Sequence, residues 1–142
     1  MMRNQILILL VLLLLPGKGM ADIVVIVNSA NQVTELSQRQ VIDLYMGRTS
    51  HFPDGEKLQR YDQPSNSTVR ADFYYRITQK SVAEINAFWA RLIFTGRASP
   101  PRVVADDSEM LEIVEKNPEA IGYIAKEYLN DRVTVVLEIK VD

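Results

Sequence analysis

The sequence predicts an α/β domain with a mixed β-sheet. Three observations support this fold class. Short runs of β-branched residues alternate with segments of helical periodicity. Several helix starts are marked by a Ser or Asp followed three positions later by Gln or Glu. Hydrophobic residues make up 47% of the 142 residues, which is enough for one ordinary domain with one core.

The N-terminal segment is predicted to be a signal peptide over residues 1–21. Met1 to Asn4 carry one positive charge, Ile6 to Leu15 form an unbroken apolar run, and small residues flank Met20 before cleavage after Ala21. The apolar run is too short to span a bilayer. We therefore expect an exported protein of the periplasm, not membrane-spanning after signal cleavage, whose residues 22–142 form a single domain.

Composition excludes several classes of function. The chain has no cysteine, so neither disulfides nor a lipid-modified cysteine is expected. Acidic residues outnumber basic ones by 18 to 16, and the basic ones are scattered, which argues against a nucleic-acid partner. His51 is the only histidine and is assigned to a surface loop, so no metal site is predicted. No cofactor motif, cysteine nucleophile or GxSxG elbow is present, so we predict a binding module rather than an enzyme.

The first half of the chain is predicted to contain two strands and two helices. Asp22 to Asn28 is almost continuously hydrophobic, which predicts a central, parallel strand. A helix over Ser37 to Met46 begins with a capping box and buries Val41, Leu44 and Tyr45. A strand at Leu58 to Tyr61 precedes a polar loop, and the next helix runs from about Ser67 to Thr78 with Val69, Phe73, Tyr74 and Ile77 on its buried stripe.

The second half adds two helices and further strands. Ser81 with Glu84, and Asp106 with Glu109, form capping boxes; the first helix ends at Gly96 and the second at Lys116. The inward positions of the first are Ile85, Phe88, Trp89, Leu92 and Ile93, and core packing is the favoured interpretation for Tyr74, Phe88 and Trp89. Brief pairing is expected at Val103-Val104, and strands at Ala120 to Ile124 and Arg132 to Val141. Gly122 inside its strand predicts the close approach of a backbone or a ligand.

The candidate site is the loop that precedes the second helix. Four small polar residues, Ser65 to Thr68, lie where the first turn of that helix exposes unpaired N–H groups, an arrangement that can receive an anion. One of these residues is needed only to cap the helix. Arg70 in the first turn either binds the anion or is a solvated side chain.

The order of short motifs along nearly the whole chain resembles the periplasmic phosphate-binding proteins of ABC transporters. In the first half of the chain, Ile23–Asn28 matches the family's "avvVn", Leu36-Ser37 with Leu44–Arg48 matches "ls..q...if.Gk", and Phe52–Leu58 matches "W.dG..i..". In the second half, Asn117–Ile124 matches "pgaIGYv". Ala87–Gly96 followed by Pro100-Pro101 resembles a small one-domain branch of the family. The resemblance implies one three-layer lobe, a mixed sheet flanked by helices, of the two lobes that enclose the ligand in the larger members.

The resemblance also implies the residues of the site. The family's phosphate loop "R...SGT" corresponds to Asp62 followed by Asn66, Ser67 and Thr68. A carboxylate thus replaces the arginine that would pair with phosphate, and Arg70 or Arg60 could supply the missing charge. Asp62 itself is expected to pair with Arg60 or to cap the helix.

Two functions follow from the resemblance and from its departures. The first is a solute-binding protein that holds a small oxyanion such as phosphate and works with an inner-membrane transporter. The second is a periplasmic interaction or sensory module that contacts a sensor or envelope protein. A homodimer could rebuild a two-sided cleft.

Overall fold

The protein is described by a computed structural model that covers residues 21–140. The predicted signal peptide lies outside the described residues, apart from Ala21. The strands are β1 (Ile23–Asn28), β2 (Gln59–Asp62), β3 (Arg102–Val103), β4 (Ala120–Ala125) and β5 (Val133–Ile139). The helices are α1 (Gln38–Tyr45), α2 (Thr68–Thr78), α3 (Val82–Phe94) and α4 (Asp107–Lys116), and a 3₁₀ turn spans Lys126–Tyr128. No helix in the 21–140 region is long and apolar enough to cross a membrane.

The five strands form one mixed sheet in the order β3-β2-β4-β1-β5, which confirms the predicted fold class. Strand β2 is parallel to both β3 and β4. Strand β1 is antiparallel to β4 and to β5, so the predicted parallel direction of the first strand is wrong. The six residues of β1 are all buried. Continuous hydrophobicity reports burial on both faces of a strand, and the antiparallel β1 has this burial because helices cover both faces of the sheet.

Helices cover both faces of the sheet in three layers. On one face α1, α2 and α3 share a core with alternate residues of β1, including Val25 and Val27. On the other face α4 packs through Met110 and Val114 against the intervening residues of β1. A Cβ added at Gly122 of β4 would overlap Sδ of Met110. The close approach predicted at Gly122 is therefore that of a helix side chain.

Helix starts largely follow the sequence prediction. Ser37 with Gln40 and Ser81 with Glu84 form complete capping boxes. Asp106 caps α4 by accepting from the N–H of Glu109, but the Glu109 carboxylate accepts from the N–H of Ala105. The third capping box is thus only half formed, because the Glu109 side chain binds the N–H of the residue before the cap.

The buried face of α3 is narrower than predicted. Ile85 and Trp89 are buried, Phe88 and Leu92 are partly buried, and Ile93 is half exposed. Helix α3 packs on α2 as an outer element, so its last turn extends beyond the core. The two helices are joined by a short link in which Gln79 adopts the left-handed conformation with φ 60° and Ser81 already caps α3.

Candidate functional site

The candidate site lies where β2 ends and α2 begins. Strand β2 ends at Asp62, one residue later than predicted, and Ser67 caps α2 by accepting from the N–H of Arg70 at 3.2 Å. The N–H groups of Thr68 and Val69, in the first turn of α2, have no intrahelical partner. Asn66 and Thr68 are exposed, and Ser67 is half-buried. The predicted loop residues therefore surround an accessible helix start.

Asp62 is buried beneath this helix start and is held by four donors. Its Oδ1 accepts from the N–H of Gln63 at 2.8 Å and from the hydroxyl of Tyr123. Its Oδ2 accepts from the hydroxyl of Tyr74 at 2.7 Å and from Nε of Arg70 at 3.4 Å. The expectation that Asp62 pairs with Arg60 or caps α2 is wrong, because Arg70 pairs with it and Ser67 provides the cap.

The tyrosines around Asp62 belong to a buried aromatic cluster. Phe73 stacks on Tyr123 with ring centroids 3.8 Å apart, and Tyr45 contacts both rings edge-on. Tyr45 donates its hydroxyl to the carbonyl of Tyr61 at 2.9 Å. Burial, reinforced by the charge of Asp62, raises the pKa of Tyr45, Tyr74 and Tyr123 well above the ordinary tyrosine value. These hydroxyls therefore stay protonated and act as donors.

Arg70 is a buried cation at the start of α2, not a solvated side chain. Its side chain is 8% exposed, and its Nη2 donates to Oδ1 of Asn86 in α3 at 3.0 Å. The guanidinium also lies over the Tyr74 ring, 5.1 Å from the centroid. Its Nη1 is buried and has no hydrogen-bond partner among residues 21–140. One donor of this cation therefore lacks an acceptor among these residues.

Arg60 points to a different part of the molecule. Its Nη1 donates to the carbonyl of Leu44 near the end of α1 at 2.8 Å, and its Nη2 donates to the carbonyl of Ser99 at 3.0 Å. The guanidinium lies over the Trp89 ring, 5.2 Å from the centroid, and burial lowers the pKa of Arg60. The structure therefore does not bring Arg60 to the N–H groups of α2.

A cavity of about 290 Å³ opens beside the helix start, between α2, α3 and the segment that leads into β3. Trp89 lies in its wall and is buried, as predicted for a core residue. Its Nε1 is a second buried donor without a partner in the described part of the chain. The lining residues are Asp62, Gln63, Ser65, Arg70, Asn86, Trp89, Ala90, Ile93, Pro100, Pro101 and Val103.

Sequence reasoning missed Asn86 and the donor of Trp89. Asn86 lies one turn before Trp89 in α3, at the spacing that places two residues on one face of a helix. The one signal in the sequence for a role of Asn86 is that it is a polar residue next to the apolar stripe predicted for α3. His51 is exposed, as predicted. Residues 21–140 contain no group of three or more His, Cys, Asp or Glu side chains that could hold a metal ion.

Neither a known protein family nor a curated protein matches the sequence. The fold is similar to that of several solved structures. One is a protein assigned as a phosphate ABC transporter substrate-binding protein, from Clostridium perfringens with bound phosphate, at 20% identity and a TM-score of 0.65. Another is an ABC-type phosphate transport receptor from Vibrio cholerae, at 22% identity and a TM-score of 0.64. A third is PstS from Borrelia burgdorferi, at 15% identity and a TM-score of 0.64.

Each of these matches covers 82% of this chain and 45–47% of the solved chain. This chain therefore spans less than half the length of the proteins it is similar to. At these identities the likeness establishes the fold and no residue's role. The chain has a PstS-like α/β fold that corresponds to less than half of each of these solved proteins.

Proposed function

We propose that this protein is a solute-binding module that holds a small oxyanion at the start of α2. The observation that carries the proposal is the buried guanidinium of Arg70, whose Nη1 has no partner among residues 21–140 although Nε and Nη2 are bound. A buried donor without an acceptor is costly, and an anion would remove that cost.

The first turn of α2 supplies the other donors. The N–H groups of Thr68 and Val69, together with the positive end of the helix dipole, favour an oxyanion. Asn66, Ser67 and Thr68 lie at this helix start in the sequence, and their side chains can donate further hydrogen bonds. Arg60 contributes only long-range charge, because its donors are bound to backbone carbonyls.

Asp62 limits how strongly the site attracts an anion. Its carboxylate already pairs with Arg70, so the site has less net positive charge than a free arginine would give. A carboxylate or a singly charged phosphate is therefore bound more readily than a dianion. One of the similar proteins holds phosphate in its solved structure. Because of the charge of Asp62, phosphate is one of several ligands to test for this protein and is not preferred over the others.

Export and a transporter partner are part of the same proposal. The predicted signal peptide would deliver residues 22–142 to the periplasm as one domain, where a solute-binding module acts with a transporter of the inner membrane. N-terminal sequencing of the exported protein should begin at Asp22. An N-terminus at Met1 in the exported fraction would contradict cleavage.

Calorimetry and thermal unfolding of residues 22–142 with phosphate, sulfate and acetate test the binding. A ligand at one hundred times its Kd should stabilise the fold by about 2.7 kcal/mol. Thr68→Ala and Arg70→Lys should weaken binding, the latter because lysine lacks the planar fork of donors. Ser108→Ala, in the first turn of α4, is the matched control and should bind normally. Absence of heat and of a thermal shift with every anion would end the proposal.

A further inference from the structure

The lining of the cavity beside the helix start combines polar and apolar side chains. Asp62, Gln63, Ser65 and Arg70 are polar, whereas Ile93, Pro100, Pro101 and Val103 are apolar. A ligand consisting only of a small inorganic anion would leave these apolar side chains in contact with water, whereas apolar atoms of a larger ligand would gain by contact with them.

Two buried donors in the cavity wall lack acceptors. They are Nη1 of Arg70 and Nε1 of Trp89, neither of which has a partner among residues 21–140. Both residues line this cavity, and Arg70 also donates through Nη2 to Asn86, which lies one turn before Trp89 on α3. Indole N–H and guanidinium are donors only, so what they lack is an acceptor. The two oxygens of a carboxylate would provide one for each.

The charge around the wall is nearly balanced. The carboxylate of Asp62 offsets the charge of Arg70. Two further charged residues contact residues of the lining: Arg60 lies over the Trp89 ring, and Asp107 accepts a hydrogen bond from Gln63. A multiply charged anion would meet no matching excess of positive charge here. A group with a single negative charge suits the one free nitrogen of Arg70.

Building on the proposed oxyanion site, we propose that the ligand of this protein is an organic monocarboxylate. Its carboxylate accepts from Nη1 of Arg70 in the first turn of α2 and from Nε1 of Trp89 in α3. Its apolar body lies along the α3 wall against Ala90 and Ile93 and reaches the Pro100-Pro101 segment. The cavity volume of about 290 Å³ accommodates a short chain or a single ring.

The chain contains one tryptophan, so its fluorescence reports directly on this cavity. Titration of residues 22–142 with acetate, butyrate and hexanoate should change Trp89 emission. Affinity should rise by about fourfold for each methylene that is buried. Hexanamide has the same body without the charge and should bind at least tenfold more weakly. Equal binding of hexanamide would overturn the carboxylate assignment.

Two variants separate the apolar part of the site from the oxyanion part, with calorimetry as the readout. Ala90→Leu fills the cavity from an exposed helix position, so it should fold normally and weaken hexanoate at least tenfold while leaving acetate unchanged. Ala83→Leu, another exposed alanine of α3 outside the lining of this cavity, is the control and should change neither. Trp89→Phe keeps a ring but removes the donor, and it should weaken acetate and hexanoate alike.

The failures of the two proposals are distinguishable. If acetate and phosphate bind through Arg70 and Thr68, but affinity does not rise with chain length and Ala90→Leu has no effect, the monocarboxylate inference is overturned and the oxyanion site stands. If no anion of any kind binds, the oxyanion site itself is wrong and the inference fails with it.

Discussion

The starts of α2 and α4 are neighbours with opposite chemistry. Each helix follows one of two adjacent parallel strands, in which Asp62 of β2 is the register partner of Val103 of β3, and each covers a different face of the sheet. The two starts are also joined directly, because Nε2 of Gln63 in the loop before α2 donates to Oδ1 of Asp107 at 2.7 Å. Their difference therefore does not come from their place in the fold.

The first turn of α4 supplies its own negative charge, whereas that of α2 does not. Asp106 caps α4, and Asp107 and Glu109 follow within the first turn. Ser67 caps α2, no acidic residue occupies its first turn, and the only charged side chain there is Arg70. Acidic residues offset the helix dipole at the start of α4. At the start of α2 the offsetting carboxylate is Asp62, which is buried beneath the helix instead of lying in its first turn.

Replacement of the carboxylate at each helix start by alanine should lower the free energy of unfolding by different amounts. Asp62→Ala leaves Arg70 without its ion-pair partner and the Tyr74 and Tyr123 hydroxyls without an acceptor. Loss of one member of a buried pair costs about 3–5 kcal/mol, so we expect a loss of that size in urea unfolding. The matched change Asp106→Ala removes an N-cap and should cost about 1 kcal/mol. Equal losses would mean that Asp62 is only a cap-like surface group.

Alkaline pH should destabilise the α2 side through its tyrosines. The pKa values of Tyr45, Tyr74 and Tyr123 are raised in the folded state, whereas an unfolded tyrosine has a pKa of about 10. At a pH between the unfolded and the folded pKa values, the native state therefore binds more protons than the unfolded state. Stability is therefore intact below about pH 10 and falls above it, by about 1.4 kcal/mol per pH unit for each tyrosine. Urea unfolding at pH 9, 10 and 11 measures the slope.

The slope should be smaller in a variant with one fewer buried hydroxyl. Tyr45→Phe keeps the ring packing on Phe73 and removes only the titrating group. An unchanged unfolding free energy from pH 9 to pH 11 in the parent protein would contradict burial of these three hydroxyls.

An acidic residue in the first turn of α2 should offset the helix dipole there, as the acidic residues do at the start of α4. Thr68→Glu places a carboxylate near the free N–H groups, and we expect a stabilisation of about 0.3–1 kcal/mol at low salt. The same change should abolish the thermal shift produced by phosphate or acetate, because the side chain takes the place of the ligand. Ser108→Glu adds an acid where two already lie, and its gain should be smaller. A destabilising Thr68→Glu would mean that the start of α2 does not favour negative charge.

Sequence reasoning succeeded where local chemistry decides the structure. The start of α2 at Ser67, the two complete capping boxes and the buried stripe of Phe73 and Ile77 all follow from residues within a few positions of one another. The mixed sheet could be inferred from the alternation of strands and helices. Asn66, Ser67, Thr68 and Arg70 do lie together at a helix start, and their role as ligands remains a prediction.

Contacts between distant residues could not be predicted in the same way. The hydroxyl that binds Asp62 comes from Tyr123, and the amide that binds Arg70 comes from Asn86, both positioned only by tertiary packing. The direction of β1 and the exposure of Ile93 likewise depend on which elements become neighbours. For that reason the sequence predicts that Asp62 pairs with Arg60 or caps α2, whereas its partner in the structure is Arg70.

The short link between α2 and α3 determines how much freedom a ligand would have to remove. Gln79 turns the chain in the left-handed conformation, and only Lys80 separates it from Ser81, the cap of α3. The two helices that form the cavity walls therefore cannot separate without disrupting this turn or their shared core. A cavity already shaped in the free protein spares a ligand most of the entropic cost of ordering its binding site, so modest contacts can still give measurable affinity.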